Sequence, residues 1–146
     1  MNWVICQASE QDKEIWAPMR HALWSDYSVA EHLADLNEWL GQKDFRGWLA
    51  LEGTEAIGFV EAFLRPFANG CDSRPVVFLE GIWVKESHRR QGVGRQLLDA
   101  VEHWAKQQGI HEIGSDSYVE DKNSHAAHRQ WGFEEREKVV YFRKKI

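Results

Sequence analysis

The segment that most constrains the fold is FLEGIWVKESHRRQGVGRQLLDAVEHW, which occupies residues 78–104. It continues an apolar run over residues 76–84, and a run of that length and composition predicts a β-strand. Its second half places Val93, Leu97 and Val101 at helical spacing, which predicts a helix with one buried face. A strand that turns through a short loop into such a helix indicates an α/β layer structure.

Hydrophobic periodicity predicts the other elements of the chain. Strands are predicted over residues 2–8, 45–52, 56–65 and 76–84, with a short strand within 111–117 and a last strand over 138–144. Helices are predicted after Ser9 as N-cap, over 29–40, from residue 93 and over 123–132. This order of elements predicts the α/β class with a mixed sheet.

Length and composition exclude several classes of protein. The 146 residues indicate one domain over residues 1–146. A net charge of −5 argues against nonspecific nucleic-acid binding and is compatible with a cationic ligand. Cys6 and Cys71 lie far apart and outside any metal-binding spacing, which indicates two reduced thiols and no metal site. The chain carries no predicted signal peptide or membrane span, so we expect a cytoplasmic protein without a membrane partner.

The loop between the strand and the helix has the composition of an anion site. Two glycines, Gly92 and Gly94, let backbone N–H groups turn to one side, and the helix that follows adds the positive end of its dipole. Arg89, Arg90 and Arg95 add formal positive charge. The segment lacks the GxxxxGK[ST] of a P-loop and the third glycine of the dinucleotide fingerprint. From the glycines alone, a tight turn with solvated arginines is an equal alternative.

The pattern R-x-x-G-x-G, with Arg89, Gly92 and Gly94 after a strand and before an amphipathic helix, resembles motif A of the GNAT superfamily of acetyl-CoA-dependent N-acetyltransferases. The element order of nearly the whole chain is also similar to that family. Within it, NGCDSRPVVFLEGIWV, LWSD, the Ser115-Asp116 pair and GFEEREKVVYFRKK resemble the short chromosomal aminoglycoside 6′-N-acetyltransferases. The resemblance implies the GNAT fold, in which helices flank a mixed central sheet.

The resemblance also implies a binding site for acetyl-CoA as cosubstrate. The loop would hold the coenzyme A pyrophosphate on the backbone and side chains of Arg89, Arg90, Gln91, Gly92, Val93, Gly94 and Arg95. The main chain of Ile82, Trp83 and Val84 would pair with the pantetheine arm as an added strand does. The coenzyme-contacting asparagine of the family falls at Asp121, with Asn123 two residues further on.

Glu80 is the candidate catalytic residue, together with Asp116. A protonated amine has no lone pair and cannot attack a thioester, so a group must accept its proton and acidic side chains must attract the cation. Strand alternation predicts that Glu80 shares one face with Phe78, Ile82 and Val84. A pKa of about 4.3 makes an ordinary glutamate a weak base for an ammonium, so positioning the amine is its main expected task. The alternative interpretation is a glutamate on an exposed sheet face.

The resemblance places further substrate-binding residues around these carboxylates. Trp24 in LWSD matches an aromatic residue that contacts the aminoglycoside ring, and Tyr27 lies nearby. Phe67 falls where relatives carry a tyrosine. Glu137 would be a third carboxylate, contributed across the interface of a homodimer. Core packing for Trp24 and a solvated charge run for Glu137 are the structural alternatives.

Three functions remain open at this stage. The first is an aminoglycoside 6′-N-acetyltransferase that works by direct transfer and confers resistance. The second keeps the fold and acetyl-CoA but acts on a polyamine, a small amine or a protein N-terminus. The third is a non-catalytic module that binds acetyl-CoA.

Many superfamily members place a tyrosine as general acid at the position of His128, and a packed helix residue is the preferred interpretation of this histidine.

Overall fold

The computed structural model describes residues 2–146, which form two compact units, one ending at Ser115 and one over Asp116–Ile146. The first unit contains β1 (Val4–Gln7), α1 (Lys13–Leu23), α2 (Val29–Trp39), β2 (Phe45–Glu52), β3 (Glu55–Arg65), β4 (Val76–Val84), α3 (Val93–Gln107) and β5 (Ile113–Gly114). The second contains α4 (Lys122–Gln130). The predicted α/β class with a mixed sheet is confirmed.

The sheet has the order β1-β2-β3-β4-β5. The pairs β1–β2, β2–β3 and β3–β4 are antiparallel, and β5 runs parallel to β4. A parallel pair needs a crossover connection, which α3 provides between β4 and β5. The strands predicted over 45–52 and 56–65 are β2 and β3, which form an antiparallel hairpin with Gly53 at φ 61° in its two-residue turn.

Local capping signals start the first two helices where the sequence places them. The Ser28 side chain accepts a hydrogen bond from the Glu31 backbone N–H, and the Glu31 carboxylate accepts one from the Ser28 N–H. This reciprocal pair satisfies two donors at the start of α2. Ser9 caps a short 3₁₀ turn over Glu10–Asp12, which leads directly into α1.

Helices cover both faces of the sheet and bury the apolar side chains of each face. On one face, Trp16 and Leu36 of α1 and α2 pack with Phe45, Leu49 and Phe59 of the sheet. On the other face lies α3, whose Leu97 approaches Gly58 of β3. The apolar stripe that predicted α3 is the buried side of this helix, which comprises Val93, Leu97, Leu98, Val101, Trp104 and Ala105.

A β-bulge interrupts the pairing between β3 and β4. Glu61 pairs with Gly81, whereas the next residue, Ala62, pairs with Leu79. Glu80 is therefore the extra residue of β4, opposite no single residue of β3. The bulge makes the prediction that Glu80 shares one face with Ile82 and Val84 wrong. Because cross-strand partners share a face, Ile82 follows Val60 onto the α3 face, while Glu80 lies on the opposite face with its neighbour Gly81.

Three polar side chains are buried beneath α1 and α2. Arg20, His32 and Glu61 are 2%, 1% and 0% exposed. The Arg20 guanidinium forms an ion pair with the Glu61 carboxylate, and its Nε donates a hydrogen bond to His32 Nδ1 at 3.2 Å. The Trp16 indole donates to Glu61 at 3.2 Å. Each charged group therefore has partners, as a buried charge requires.

The prediction of a last strand over residues 138–144 is wrong for this structure. Residues 133–146 carry no helix or strand, and the apolar side chains Val140, Tyr141 and Phe142 are 75%, 79% and 91% exposed. A run of β-branched and aromatic residues gives a segment the tendency to be extended, but a strand exists only when a second strand completes its hydrogen bonds.

We predict that Glu61→Gln changes how stability depends on pH. Complete burial raises the pKa of Glu61 from 4.5 to about 7, although the Arg20 guanidinium opposes this shift. An acid with a higher pKa in the folded protein stabilises the fold at low pH and loses that contribution as the pH rises through 7. The difference in unfolding free energy between wild type and Glu61→Gln should therefore fall by about 2–3 kcal/mol between pH 5 and pH 8.

Urea unfolding of both proteins at each pH measures this difference. Asp35→Asn is the control, because this carboxylate lies 3.7 Å from Arg20 but is 45% exposed. A difference that stays constant across the pH range contradicts the raised pKa.

Candidate functional site

The loop before α3 has the backbone geometry of an anion site. Gly92 caps the helix with φ 97°, a conformation that favours glycine, and a Cβ there would meet no atom within 4 Å. Arg90 also has a positive φ, 61°. The first N–H groups of a helix have no carbonyl partner within it, so Val93, Gly94 and Arg95 present theirs at the end of a 15-residue helix.

The loop side chains mainly brace the loop itself. Arg89 donates from Nε to the Val84 carbonyl at 2.8 Å, and the Gln91 amide donates to the Ser87 carbonyl at 3.2 Å. Arg95 forms ion pairs within α3, with Asp99 at 3.0 Å and Glu102 at 3.4 Å. Backbone N–H groups and the helix dipole are therefore the groups of this loop that could bind an anion.

The end of β4 offers a backbone edge beside this loop. Residues 82–84 pair with β3 on one side, whereas the pairing with β5 covers Val77 and Phe78. Among residues 2–146, no strand pairs with the other side of positions 82–84. Such an edge can accept an extended ligand by adding a strand, the role expected for Ile82, Trp83 and Val84.

The Glu80 carboxylate lies on the bulge and is bound at both oxygens. Arg65, the last residue of β3, donates from Nε to Oε2 at 3.0 Å and from Nη2 to Oε1 at 2.8 Å. The Arg65 guanidinium also lies over the Phe78 ring, 3.8 Å from its centroid. Sequence reasoning missed Arg65. The signal was its position at the end of the strand antiparallel to β4, but only the register shows that it reaches Glu80.

Trp24 lies beside Glu80 on the same face of the sheet. Gly81 leaves room for its indole ring, since a Cβ at Gly81 would lie 2.3 Å from Trp24 Cη2. The Arg20 guanidinium lies over the ring, 4.9 Å from its centroid. Arg20 has only donors, so His32 Nδ1 accepts from it, and His32 Nε2–H then donates to the Trp24 carbonyl at 3.1 Å. Trp24 is half-buried, which leaves part of the ring for a ligand.

The other two predicted aromatic residues are more exposed. Tyr27 is 56% exposed, and its ring centroid lies 6.0 Å from that of His32, which connects it to the same polar cluster as Trp24. Phe67 is 55% exposed in the loop after β3, where the Arg74 guanidinium lies 5.2 Å from the ring centroid. Both rings present apolar surface to solvent.

The predicted residues of the second unit are exposed or act in local structure. Asp116 and Asn123 are exposed, and Glu137 is exposed in the C-terminal segment. Asp121 caps α4 by accepting a hydrogen bond from the Ser124 N–H at 3.1 Å. The substrate and coenzyme contacts expected of these residues stay predictions.

His128 is packed within its own unit. Its ring centroid lies 5.7 Å from that of Trp131 and 5.1 Å from that of Phe133. Its Nδ1 donates to the Ser124 carbonyl at 2.7 Å. These contacts favour a structural role for this histidine.

The first unit thus combines an anion-binding helix end, an open strand edge and a fixed carboxylate beside a tryptophan. This arrangement can bind a phosphorylated ligand with an extended arm and present a cation to the end of that arm. Within residues 2–146 there is no group of three His, Cys, Asp or Glu side chains that could hold a metal ion. No described helix combines the length and apolar character needed to cross a bilayer.

Comparison with known proteins gives full-length matches. Residues 13–133 match the Acetyltransferase (GNAT) family. The chain is 45% identical over 140 residues to the aminoglycoside N(6′)-acetyltransferase type 1 of Acinetobacter haemolyticus, covering 95% of this chain and 96% of the relative. The enzyme of the same description from Salmonella enteritidis is 41% identical over 142 residues, covering 97% and 98%.

Solved structures agree with these matches. AAC(6′)-Iy in complex with the bisubstrate analogue CoA-S-monomethyl-acetylneamine superposes with a TM-score of 0.94 and 39% identity, covering 100% of both chains. The apo structure of the aminoglycoside 6′-N-acetyltransferase AAC(6′)-IG from Acinetobacter haemolyticus gives a TM-score of 0.93 and 44% identity, covering 98% of this chain and 99% of that one.

We predict that Gly81→Ala displaces the Trp24 ring. The new methyl group would overlap the indole, and overpacking of this kind costs about 1–3 kcal/mol. Urea unfolding measures the loss. Gly41→Ala is the matched control, because a Cβ at Gly41 meets no atom within 4 Å. Equal stability of the two variants would show that Trp24 does not need the space above Gly81.

Proposed function

The chain belongs to the acetyltransferase (GNAT) family, and we propose that it transfers the acetyl group of acetyl-CoA to the 6′-amine of aminoglycoside antibiotics and so confers resistance to them. The observation that carries the proposal is the 40–45% identity to aminoglycoside N(6′)-acetyltransferases over nearly the full length of both chains. A solved structure of AAC(6′)-Iy contains the bisubstrate analogue CoA-S-monomethyl-acetylneamine, in which coenzyme A and an acetylated neamine are parts of one molecule.

The first unit fits the chemistry of acetyl-CoA. Pyrophosphate would bind the N–H groups of residues 93–95, where the absence of a side chain on Gly92 leaves open space for a close approach. The pantetheine arm, which carries amide groups, would pair with the open edge of residues 82–84. Bound there, acetyl-CoA supplies an acetyl carbon activated by its thioester. Asp121 and Asn123 remain candidates for a further contact.

Glu80 is the acceptor carboxylate that the geometry supports best. It sits on β4 immediately before residues 82–84 and is only 20% exposed, so little water separates its charge from a bound ammonium. Its two oxygens have further lone pairs beyond the two contacts from Arg65, and these can accept hydrogen bonds from the reacting amine. Its proposed role is to hold the amine for attack and to pass its proton to water.

The sequence resemblance supplies the other proposed substrate contacts. An indole face suits both the apolar face of a sugar ring and a nearby cation, so Trp24 would contact the aminoglycoside ring. Tyr27 and Phe67 present exposed aromatic surface for the same task. Asp116 and Glu137 would bind other ammonium groups of the polycation.

We further propose a cytoplasmic homodimer with one acetyltransferase domain per chain. Support comes from the C-terminal segment, where Tyr141 and Phe142 are 79% and 91% exposed at the end of a continuous apolar run over residues 139–142. Aromatic side chains are enriched where proteins associate. Glu137 lies at the start of this segment, so a dimer could place it in the site of the second subunit, as the sequence resemblance implies.

We predict that Glu80→Gln lowers kcat/KM for kanamycin and tobramycin about 100-fold or more, because the carboxylate both attracts the ammonium and accepts its proton. Release of coenzyme A thiol from acetyl-CoA measures turnover. An analogue with a hydroxyl in place of the 6′-amine should give no turnover. Glu38→Gln, on the exposed surface of α2, is the control and should keep wild-type activity.

Other outcomes of this assay separate the remaining functions. Turnover of spermidine or a peptide without turnover of either antibiotic would support the second class of acceptor. Binding of acetyl-CoA with no turnover of any amine would support a non-catalytic module. Wild-type activity in Glu80→Gln would contradict the role of Glu80, but it would not contradict the assignment of the antibiotic as substrate.

We predict that Phe142→Asp converts the dimer to a monomer, because a charge would be buried where the exposed apolar segment meets its partner. Sedimentation velocity at several protein concentrations measures the change. Tyr118→Asp is the matched control, since this aromatic ring is also exposed, at 82%, but lies outside the C-terminal segment. A monomeric wild-type protein would contradict the proposed dimer.

A further inference from the structure

Arg65 binds Glu80 in a geometry that a flexible surface ion pair does not have. Its Nε and Nη2 donate to the two carboxylate oxygens at 3.0 and 2.8 Å. Such a two-point contact fixes the rotation of the carboxylate as well as its position. A lysine offers a single point charge and cannot fix that rotation.

Other contacts hold Arg65 itself in place. One face of its guanidinium covers the Phe78 ring, with the centroid 3.8 Å away. Its backbone pairs with Val76 at the end of β3, and Pro66 follows it directly. Phe78, Arg65 and Glu80 are thus stacked along one face of the sheet, from a ring through a planar cation to the carboxylate.

The bulge explains why Glu80 needs such support. At the bulge, Glu80 has no residue of β3 directly opposite, because Glu61 pairs with Gly81 and Ala62 pairs with Leu79. A cross-strand neighbour normally packs against a strand residue and limits its rotamers. Arg65 takes over this function from a position near the end of β3.

We propose that Arg65 is a positioning residue for acetyl transfer, which fixes the orientation of the Glu80 carboxylate toward the acceptor amine. This inference rests on the proposed function for its activity test. Displacement of a reacting group by about 0.5–1 Å is enough to lose much of its effect, so loss of the clamp should lower turnover without loss of the carboxylate.

The experiment compares Arg65→Met and Arg65→Lys with wild type, each with and without Glu80→Gln. We expect Arg65→Met to lower kcat/KM for the aminoglycoside about 10- to 100-fold and to leave the KM for acetyl-CoA unchanged. Arg65→Lys keeps the charge but loses the planar contact, so it should recover only a small part of the loss. In the Glu80→Gln background, Arg65→Met should change turnover by about twofold at most.

Arg46→Met is the matched control. Arg46 also covers an aromatic ring, with Trp104 at 5.5 Å, but it faces α3 on the other side of the sheet. It should keep the wild-type kcat/KM. An equal loss in the presence and absence of the Glu80 carboxylate would overturn the proposal, because it would show that Arg65 acts on stability or on acetyl-CoA instead.

A crystal structure of Arg65→Met gives a test that does not depend on activity. The proposal requires the Glu80 side chain to leave its wild-type rotamer or to become disordered. A Glu80 carboxylate that stays in place overturns the proposal even if the protein acetylates no aminoglycoside. Turnover of none of the antibiotics by wild type, with a displaced Glu80 in the variant, would instead contradict the proposed function alone.

Discussion

The buried ion pair between Arg20 and Glu61 joins the helical layer to the centre of the sheet. Both groups are almost fully removed from solvent, so separating them would leave a charge buried without its partner, at a cost of about 3–5 kcal/mol. Arg20 also contacts His32 of α2, and its guanidinium lies over the rings of Trp24 and Trp39. One guanidinium therefore sets the position of α1, α2 and β3 together.

The candidate acceptor site is built on this arrangement. The residue opposite Glu61 in the sheet is Gly81, and the ring that occupies the space above Gly81 is Trp24, which the same arginine contacts. The bulge next to this pair places Glu80 on the same face of the sheet as the Trp24 ring. The buried polar groups between the helices and the sheet and the candidate acceptor groups thus belong to one cluster on the same face of the sheet, so substitutions of the buried groups should also affect acceptor binding.

Most of the fold could be predicted from the sequence, because its signals are local. The helix stripe of α3, the capping box of Ser28 and Glu31 and the turn between β2 and β3 each lie within a few residues. The loop around Gly92 could be predicted as a candidate anion site for the same reason, since its glycines, its arginines and the following helix are contiguous, and the R-x-x-G-x-G resemblance favoured that interpretation over a simple turn. The predicted last strand failed because its hydrogen bonds must come from another strand, which a single segment does not specify.

The sequence by itself determined the class of the fold, because helix and strand patterns are local. Together with the family resemblance, it also predicted an anion site in the loop before α3 and a role for Glu80. Only the tertiary structure decided what surrounds Glu80. The clamp by Arg65 spans 15 positions along the chain, and the contact between Arg20 and Glu61 spans 41. The clamp also depends on a bulge that shifts the register of β4 by one residue and reverses the face of each residue after it. Side-chain alternation, the rule used on the sequence, holds only while the pairing is regular.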